Sequence, residues 1–172
     1  MANILLTGVP GVGKTTVIKH FIERANVTFT GFYTGEERNA GGQRIGFKVT
    51  RVDGSKEATF ASINLSTKAR IGKYAVDVDR FESVALPMLD PGRADLVVID
   101  EIGKMEMFSA QFKQKVLACL DTGRVLATIL MKSGVPFTDG IKQRHDVTLL
   151  EVTRENRERL VDRLLSMVQG SR

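Results

Sequence analysis

The feature that most constrains the fold of this chain is residues 8–15, which read GVPGVGKT. They fit the pattern G-x-x-x-x-G-K-[ST], in which glycines let backbone N–H groups close around a phosphate without steric clash. A short apolar run at residues 4–7 precedes the segment, and a helical pattern at residues 16–24 follows it. Because such a loop works only between a strand end and a helix start, this context predicts a phosphate-binding site.

Two residues at the end of this loop have separate expected roles. Lys14 would place a positive charge on the outer phosphates of a nucleotide, and the Thr15 hydroxyl would bind a magnesium ion. The free N–H groups and the positive dipole end of the following helix would add to the attraction. The residues expected to contact the nucleotide here are Gly8, Val9, Pro10, Gly11, Val12, Gly13, Lys14, Thr15 and Thr16.

A second motif lies in the middle of the chain, where the apolar run 96–99 ends in Asp100 and Glu101. In phosphate-loop proteins such an acidic strand end holds magnesium, so we expect Asp100 to hold the ion, through water. Because the chain bends at the strand end, Glu101 can reach the water that attacks the γ-phosphate. Gly103 would allow a tight turn, and Lys104 would reach the triphosphate or a group of the substrate.

Strand and helix patterns alternate along the chain, which predicts an α/β fold with a mainly parallel sheet in a single domain, residues 1–172. Two turn signals separate strand-like runs within residues 28–60, which predicts an inserted antiparallel β-meander, and residues 62–74 are predicted to be a loop. The predicted strands are residues 4–7, 28–34, 43–52, 56–60, 96–99, 125–130 and 147–152, and the predicted helices are residues 16–24, 79–89, 108–120 and 154–169.

Composition narrows the class of protein and its setting. The net charge of +5 allows a nucleic-acid partner but does not favour one, because positive and negative residues alternate in stretches such as 154–159. The one cysteine, Cys119, excludes an internal disulfide and is expected to be buried. Since there is no secretory signal pattern and no apolar run long enough to span a bilayer, we expect a cytoplasmic protein without membrane contact, and a monomer is the default expectation.

The chain resembles the small P-loop nucleoside-triphosphatases of the cancer-related and thermophile type. The resemblance rests on the phosphate loop, on the run DEIGKME at residues 100–106 and on the run GFYT at residues 31–34, with further matches at residues 44–47, 72–77 and 155–157. It implies a RecA-like sheet and slow hydrolysis of ATP, GTP, CTP and UTP that needs Mg²⁺. It also implies a second nucleotide-contacting stretch, formed by Val98, Ile99, Asp100, Glu101, Ile102, Gly103, Lys104 and Met105.

A cation beside the transferred phosphoryl group would stabilise the charge of the transition state. The candidates are Arg38, Arg44, Lys73 and Arg144. The hairpin pair, Arg38 and Arg44, is preferred, because an inserted hairpin near the phosphate loop could act as a lid, and Arg44 is the member whose replacement is expected to slow turnover. The start of the last helix, residues 153–157, is expected to contact the base loosely, through stacking, which would allow several bases.

Two other functions fit parts of the same pattern. A nucleotide or polynucleotide kinase would share the size, the phosphate loop and a lid-like segment, although Glu101 is better placed for water than for an acceptor. A nucleotide-gated module that binds RNA or a protein is the third possibility, but no basic stripe with interleaved aromatic residues supports RNA. Hydrolysis of nucleoside triphosphates to diphosphates and phosphate is therefore the leading prediction.

Overall fold

The computed structural model describes residues 3–169, which contain nine β-strands and five α-helices. The strands are β1 (Asn3–Thr7), β2 (Phe29–Arg38), β3 (Arg44–Arg51), β4 (Glu57–Ser62), β5 (Arg70–Ile71), β6 (Tyr74–Val76), β7 (Leu96–Ile102), β8 (Val125–Ile129) and β9 (Val147–Glu151). The helices are α1 (Lys14–Arg24), α2 (Val78–Ala85), α3 (Ala110–Asp121), α4 (Pro136–Lys142) and α5 (Arg157–Gln169), with short 3₁₀ turns at Leu86–Met88 and Glu106–Phe108.

All nine strands form one sheet, in the order β5-β6-β4-β3-β2-β7-β8-β1-β9. The five strands from β2 to β9 in this order pair in parallel, and β3 to β6 extend the sheet as antiparallel strands. β8 lies between β1, which leads into the phosphate loop, and β7, which carries the acidic motif. The predicted α/β architecture, with a mainly parallel RecA-like sheet, is confirmed.

Alternate residues of the central strands face two separate apolar clusters. Leu6 and Val98 pack with α1 and α5 on one face of the sheet. Leu5 and Ile99 face the other side, where α2 and α3 cover the sheet. Because both faces are covered, these strands are continuous apolar runs, as parallel strands of α/β proteins are.

The first strand of the predicted meander is also part of the parallel sheet. β2 pairs in parallel with β7 along its first half and antiparallel with β3 along its second half. The meander of β2, β3 and β4 therefore extends the main sheet rather than forming a layer of its own. This continuity places the far ends of β2 and β3 above the edge where β7 ends.

Several elements differ from the predictions because tertiary contacts decide them. The predicted loop 62–74 contains β5 and ends at the first residue of β6; these strands are two and three residues long and gain their stability by pairing beside β4. Helix α4 was not predicted, since its seven residues include Gly140 and show little apolar periodicity.

The last helix begins later than predicted, at Arg157, after a turn. Thr153 and Asn156 hold that turn reciprocally: the Asn156 N–H donates to Thr153 Oγ1, and the Thr153 N–H donates to Asn156 Oδ1. Cys119 is buried in α3, as expected. No helix within residues 3–169 is both long enough and apolar enough to cross a membrane.

Candidate active site

The phosphate loop joins β1 to α1 with glycines at the positions where the backbone requires them. Gly8 has φ +146° and lies so close to β9 that a Cβ would sit 2.6 Å from the Val152 carbonyl oxygen. Gly13 has φ +108° and caps the N-terminus of α1 without a side-chain hydrogen bond. The first backbone N–H groups of α1 therefore point out of the helix end towards the loop, where a phosphate would accept from them.

Lys14, the first residue of α1, folds back over its own loop. Its Nζ donates to the carbonyl oxygens of Gly8 at 2.9 Å and Val9 at 3.3 Å. These contacts hold the ammonium group at the mouth of the loop. The flexible four-carbon stem lets the same group reach a phosphate oxygen without any movement of the backbone.

Asp100 lies on the Thr15 side of the cavity, at the end of β7. Its carboxylate is 1% exposed; Oδ1 accepts from the Thr128 hydroxyl at 2.5 Å, and Oδ2 is one of two buried side-chain oxygens in residues 3–169 without a hydrogen-bond partner. Burial raises the pKa of Asp100, while the hydroxyls of Thr128 and Thr15 and the charge of Lys14 lower it. A buried carboxylate oxygen without a donor, beside a threonine hydroxyl, is the oxygen environment that a hard divalent cation prefers.

Protein side chains alone do not complete a metal site here. Within residues 3–169 no group of three or more His, Cys, Asp or Glu side chains is arranged to hold an ion. Magnesium commonly keeps several waters and takes further ligands from phosphates, with only one or two protein ligands. Thr15 and Asp100 are oxygen-bearing side chains of the kind that such a mode of binding uses.

Glu101 follows Asp100 and lines the same cavity. Burial raises its pKa, the negative charge of Asp100 raises it further, and the positive charge of Lys14 opposes both. A carboxylate with a raised pKa is a stronger base at neutral pH than an exposed one. Glu101 is therefore more basic than an exposed carboxylate, and it lies in the cavity that the phosphate loop lines.

Glu106 is a third carboxyl group at this end of β7, and the sequence analysis did not identify it. It is 6% exposed, and burial together with the charges of Glu101 and Asp100 raises its pKa to about 8. Its Oε2 lies 2.9 Å from the point where a Cβ on Gly103 would sit. Gly103 thus allows the two glutamates to approach each other across the turn.

These groups meet in one cavity of about 680 Å³ at the carboxyl ends of the parallel strands. Most of the predicted nucleotide-contacting residues line it: Pro10, Gly11, Gly13, Lys14, Thr15, Thr16, Asp100, Glu101, Gly103, Lys104 and Met105. The other predicted residues are not among those that line it: Gly8, Val9, Val12, Val98, Ile99 and Ile102. Val98, Ile99 and Ile102 are fully buried in the apolar clusters, so their side chains support the strand.

The antiparallel end of the sheet forms the opposite wall of the cavity. Arg44 donates from Nε to the Tyr74 hydroxyl at 3.0 Å and from Nη1 to Glu36 Oε1 at 2.8 Å. Its guanidinium carbon lies 5.3 Å from the centre of the Phe47 ring. Arg44 is therefore held in place by Tyr74 and Glu36, and it lines the same cavity as the phosphate loop.

The other predicted cations lie elsewhere. Arg38 and Lys73 line a neighbouring cleft that shares Arg44 and Tyr74 with the cavity. Arg144 pairs with Asp121 and Asp146 just before β9 begins. Arg144 therefore lies at the amino ends of the parallel strands. The phosphate loop lies at their carboxyl ends, so the two are on opposite ends of the sheet.

The start of α5 lies against the phosphate loop from outside the cavity. The Arg157 guanidinium donates to the Val12 carbonyl oxygen at 3.5 Å, and its Nη1 lies 3.5 Å from the position of a Cβ on Gly13. The predicted base-contacting segment 153–157 is thus next to the loop.

Sequence reasoning missed the residues that support Arg44, namely Glu36, Phe47 and Tyr74, as well as Glu106. The first three come from three different strands, β2, β3 and β6, and only the order β6-β4-β3-β2 within one sheet brings them together. Glu106 stands within the run DEIGKME, and that position was the only signal that could have identified it.

Comparisons with known proteins agree with this geometry. A family model described as NTPase matches residues 3–165. Nucleoside-triphosphatase THEP1 of Thermotoga sp. (strain RQ2) is 40% identical over 172 residues, covering 99% of this chain and 97% of that protein.

Two solved structures are also similar. The crystal structure of THEP1 from the hyperthermophile Aquifex aeolicus has a TM-score of 0.88 and 35% identity, and the match covers 96% of this chain and 98% of that one. The solution structure of a human cancer-related nucleoside triphosphatase has a TM-score of 0.84 and 39% identity over the whole of both chains. These similarities extend over the phosphate loop, the acidic strand end and the antiparallel wall.

Proposed function

Because this chain belongs to the NTPase family whose model spans residues 3–165, we propose that it hydrolyses nucleoside triphosphates to diphosphates and phosphate, with magnesium as the required ion. Relatives that match nearly the whole chain are named nucleoside-triphosphatases, and this chain is an enzyme of that class. We extend the proposal to ATP, GTP, CTP and UTP as substrates. The observation that carries it is the meeting of Lys14, Thr15, Asp100 and Glu101 in one cavity.

Binding of the triphosphate is assigned to the loop and the first turn of α1. The N–H groups of residues 13–16 would donate to phosphate oxygens, and Lys14 would exchange its two carbonyl contacts for the outer phosphates. Thr15 and Asp100 would hold the magnesium ion, which supplies charge neutralisation to the phosphates when it is bound. The unpartnered Oδ2 of Asp100 supports this assignment.

The chemical step is assigned to Glu101. Its carboxylate would orient a water molecule in line with the γ-phosphorus and accept the proton as the new P–O bond forms. The bond between the γ-phosphorus and the β–γ bridging oxygen breaks, and the diphosphate leaves with that oxygen. The raised pKa of Glu101 supports the role, since it makes the carboxylate a competent proton acceptor.

Two cations would stabilise the charge that develops on the phosphoryl oxygens. Lys104 lines the cavity after β7, and Arg44 faces it from the antiparallel wall. Arg44 reaches its position through fixed hydrogen bonds, so no side-chain ordering is needed during the reaction. The base would be held only against the exposed start of α5, by contact with Arg157. Because no hydrogen bonds would distinguish one base from another, several bases would be accepted.

The decisive experiment compares wild type with Glu101→Gln. Phosphate release from ATP and GTP with Mg²⁺ is measured together with nucleotide affinity. We expect the variant to bind nucleotide with near wild-type affinity and to lose about 10²- to 10⁴-fold in kcat, since it cannot accept the proton. Glu23→Gln, the same change at an exposed position of α1, is the control and should hydrolyse normally.

Three outcomes separate the alternatives. Full activity of Glu101→Gln would remove Glu101 from the chemical step. Binding by wild type without phosphate release, until a hydroxyl acceptor is added and becomes labelled from γ-labelled ATP, would make the chain a kinase. Nucleotide-dependent retention of RNA near physiological salt, without turnover, would support the gated module instead.

A further inference from the structure

A second concave surface lies directly beside the nucleotide cavity and has no role in the proposed hydrolysis. It has a volume of about 630 Å³ and shares Arg44 and Tyr74 with the cavity. The residues that line this β3–β6 cleft are Arg38, Asn39, Gln43, Arg44, Ile45, Ile63, Lys73 and Tyr74. An occupant of the cleft would therefore lie beside Arg44, which the proposed function on which this inference rests assigns to the transferred phosphoryl group.

The charges of the two concave surfaces differ. The nucleotide cavity has four cationic and four acidic side chains along its lining. The β3–β6 cleft has three cationic side chains, those of Arg38, Arg44 and Lys73, and no acidic one. A site with this excess of positive charge favours an anion.

The two arginines of the cleft, Arg38 and Arg44, each have N–H groups that make no hydrogen bond within residues 3–169. Both arginines donate to the carboxylate of Glu36. Arg38 also donates to the Gly42 carbonyl oxygen, and Arg44 also donates to the Tyr74 hydroxyl. A guanidinium has five N–H donors, so each arginine keeps three that make no hydrogen bond with residues 3–169. Their side chains are 54% and 42% exposed, so these donors are accessible.

Lys73 contributes a positive charge that pairs with no carboxylate in the described part of the chain. None of the ion pairs within residues 3–169 involves it, and its Nζ lies 5.4 Å from the centre of the Tyr74 ring. The turn opposite is preorganised, because Asn39 Oδ1 accepts from the Gln43 N–H at 3.0 Å. Ile63, 42% exposed, adds an apolar surface at the same cleft.

We propose that the β3–β6 cleft binds the phosphate dianion of a small phosphomonoester next to the bound nucleotide. Arg38 and Lys73 would contact the phosphate, since arginine forks and lysine charges are the usual partners of phosphate oxygens. The amides of Asn39 and Gln43 and the side chain of Ile63 would contact the organic part. Inorganic phosphate released by hydrolysis has the same anionic chemistry and is the other source that the test separates.

The test first saturates the phosphate loop with a non-hydrolysable ATP analogue and Mg²⁺, which removes that loop as a competing phosphate site. Calorimetric titration then follows binding of adenosine monophosphate and, separately, of inorganic phosphate. The first step reports on nucleotide binding alone, so a failure of nucleotide binding would be visible before the cleft is probed, and the phosphate-release assay tests hydrolysis separately.

The matched variants are Lys73→Gln, Lys73→Arg and Lys48→Gln. Lys48 lies on β3 and pairs with Glu57, outside the cleft, so Lys48→Gln makes the same charge change without touching the site. We expect Lys73→Gln to weaken binding by about fivefold or more, and Lys73→Arg and Lys48→Gln to retain it. The circular dichroism spectrum of Lys73→Gln should match that of wild type, which would show that the fold is intact.

Binding of adenosine monophosphate that exceeds binding of phosphate would support a phosphomonoester as the occupant. Equal binding of both would support recognition of the dianion alone, with released phosphate as its source. No binding to the nucleotide-saturated wild type, or equal affinities in wild type and Lys73→Gln, would overturn the proposal.

Discussion

Gly31 shows how a single residue allows the sheet to form. It lies on β2 beside Val98, and a Cβ at its position would sit 1.9 Å from the Val98 carbonyl oxygen. Its φ of +115° is also a conformation that other residues rarely adopt. The strand that carries the acidic motif therefore pairs with β2 only because residue 31 has no side chain.

We expect Gly31→Ala to lower the free energy of unfolding by roughly 3 kcal/mol or more, since the clash is with backbone that cannot turn aside. Urea unfolding measures the change. Gly35→Ala on the same strand is the control, because a Cβ there meets no atom within 4 Å. Similar losses in the two variants would contradict the steric argument.

Glu106 makes stability depend on pH in a direction that its environment determines. Its pKa of about 8 in the folded protein lies above the ordinary value of 4.5. Between these two pH values the folded state binds more protons than the unfolded state, so stability falls as the pH rises towards 8. Above pH 8 both states are ionised and this contribution no longer changes.

Replacement of Glu106 by Gln should remove that pH dependence. We expect wild type and Glu106→Gln to have similar stability near pH 5, and the variant to be more stable near pH 9, by on the order of 4 kcal/mol. Chemical unfolding of the nucleotide-free protein across this pH range measures the difference. Because both proteins retain Asp100 and Glu101, parallel stability profiles would exclude the effect assigned to Glu106.

At the scale of elements, the β2–β3 hairpin connects the fold to the reaction. The half of β2 beside β7 belongs to the core, while the far half and β3 carry Glu36 and Arg44 to the cavity wall. The hairpin is held to β6 through the Arg44–Tyr74 hydrogen bond and the edge-on contact of the Phe47 and Tyr74 rings, whose centres are 5.2 Å apart. It can therefore present a cation to the nucleotide without losing its own packing.

Arg44→Ala should slow turnover and leave nucleotide affinity largely intact, since the residue would act on charge that develops in the transition state. A loss of about 10²-fold or more in kcat is expected, measured by phosphate release beside equilibrium binding. Arg144→Ala is the comparison, because that arginine lies at the opposite edge of the sheet and should not alter kcat. Equal loss of binding and turnover in Arg44→Ala would mean instead that Arg44 binds the substrate and the transition state equally well.

At the scale of the whole molecule, the nine-stranded sheet separates two apolar clusters that nevertheless share every central strand. Phe112 on α3 lies in one cluster, where its ring packs edge-on against Phe81, and Leu164 on α5 lies in the other. If the helices on one face detached, they would expose strands whose other side chains form the apolar cluster of the opposite face. We therefore propose that the chain is a single cooperative domain.

Phe112→Ala and Leu164→Ala test this on opposite faces. Each removes a fully buried side chain and should destabilise the protein by about 3 kcal/mol, and both should shift the same unfolding transition. Calorimetry together with near- and far-ultraviolet circular dichroism would show it. Two separable transitions in either variant would mean that the faces unfold independently.

Much of the site could be predicted because it is local in sequence. The phosphate loop follows from eight consecutive residues, and the acidic strand end follows from an apolar run and the two acids after it. Alternation of strand and helix patterns similarly predicted the parallel sheet, because both faces of its strands must be apolar. Short elements such as β5, β6 and α4 could not be predicted, since their own residues carry too little pattern and neighbouring strands or helices stabilise them.

By itself, the sequence determined the chemistry available to this protein: a loop shaped for phosphates, a lysine and a threonine beside it, and a pair of acids at a strand end. Only the tertiary structure decided which distant groups join them. It brought Glu36, Arg44 and Tyr74 to the opposite wall, buried Glu106 beside Glu101, and placed Arg144 at the far edge. The physical reason is that local backbone conformation is encoded over a few residues. The burial of a side chain and the charged groups around it depend instead on the order of the strands, which no short segment specifies.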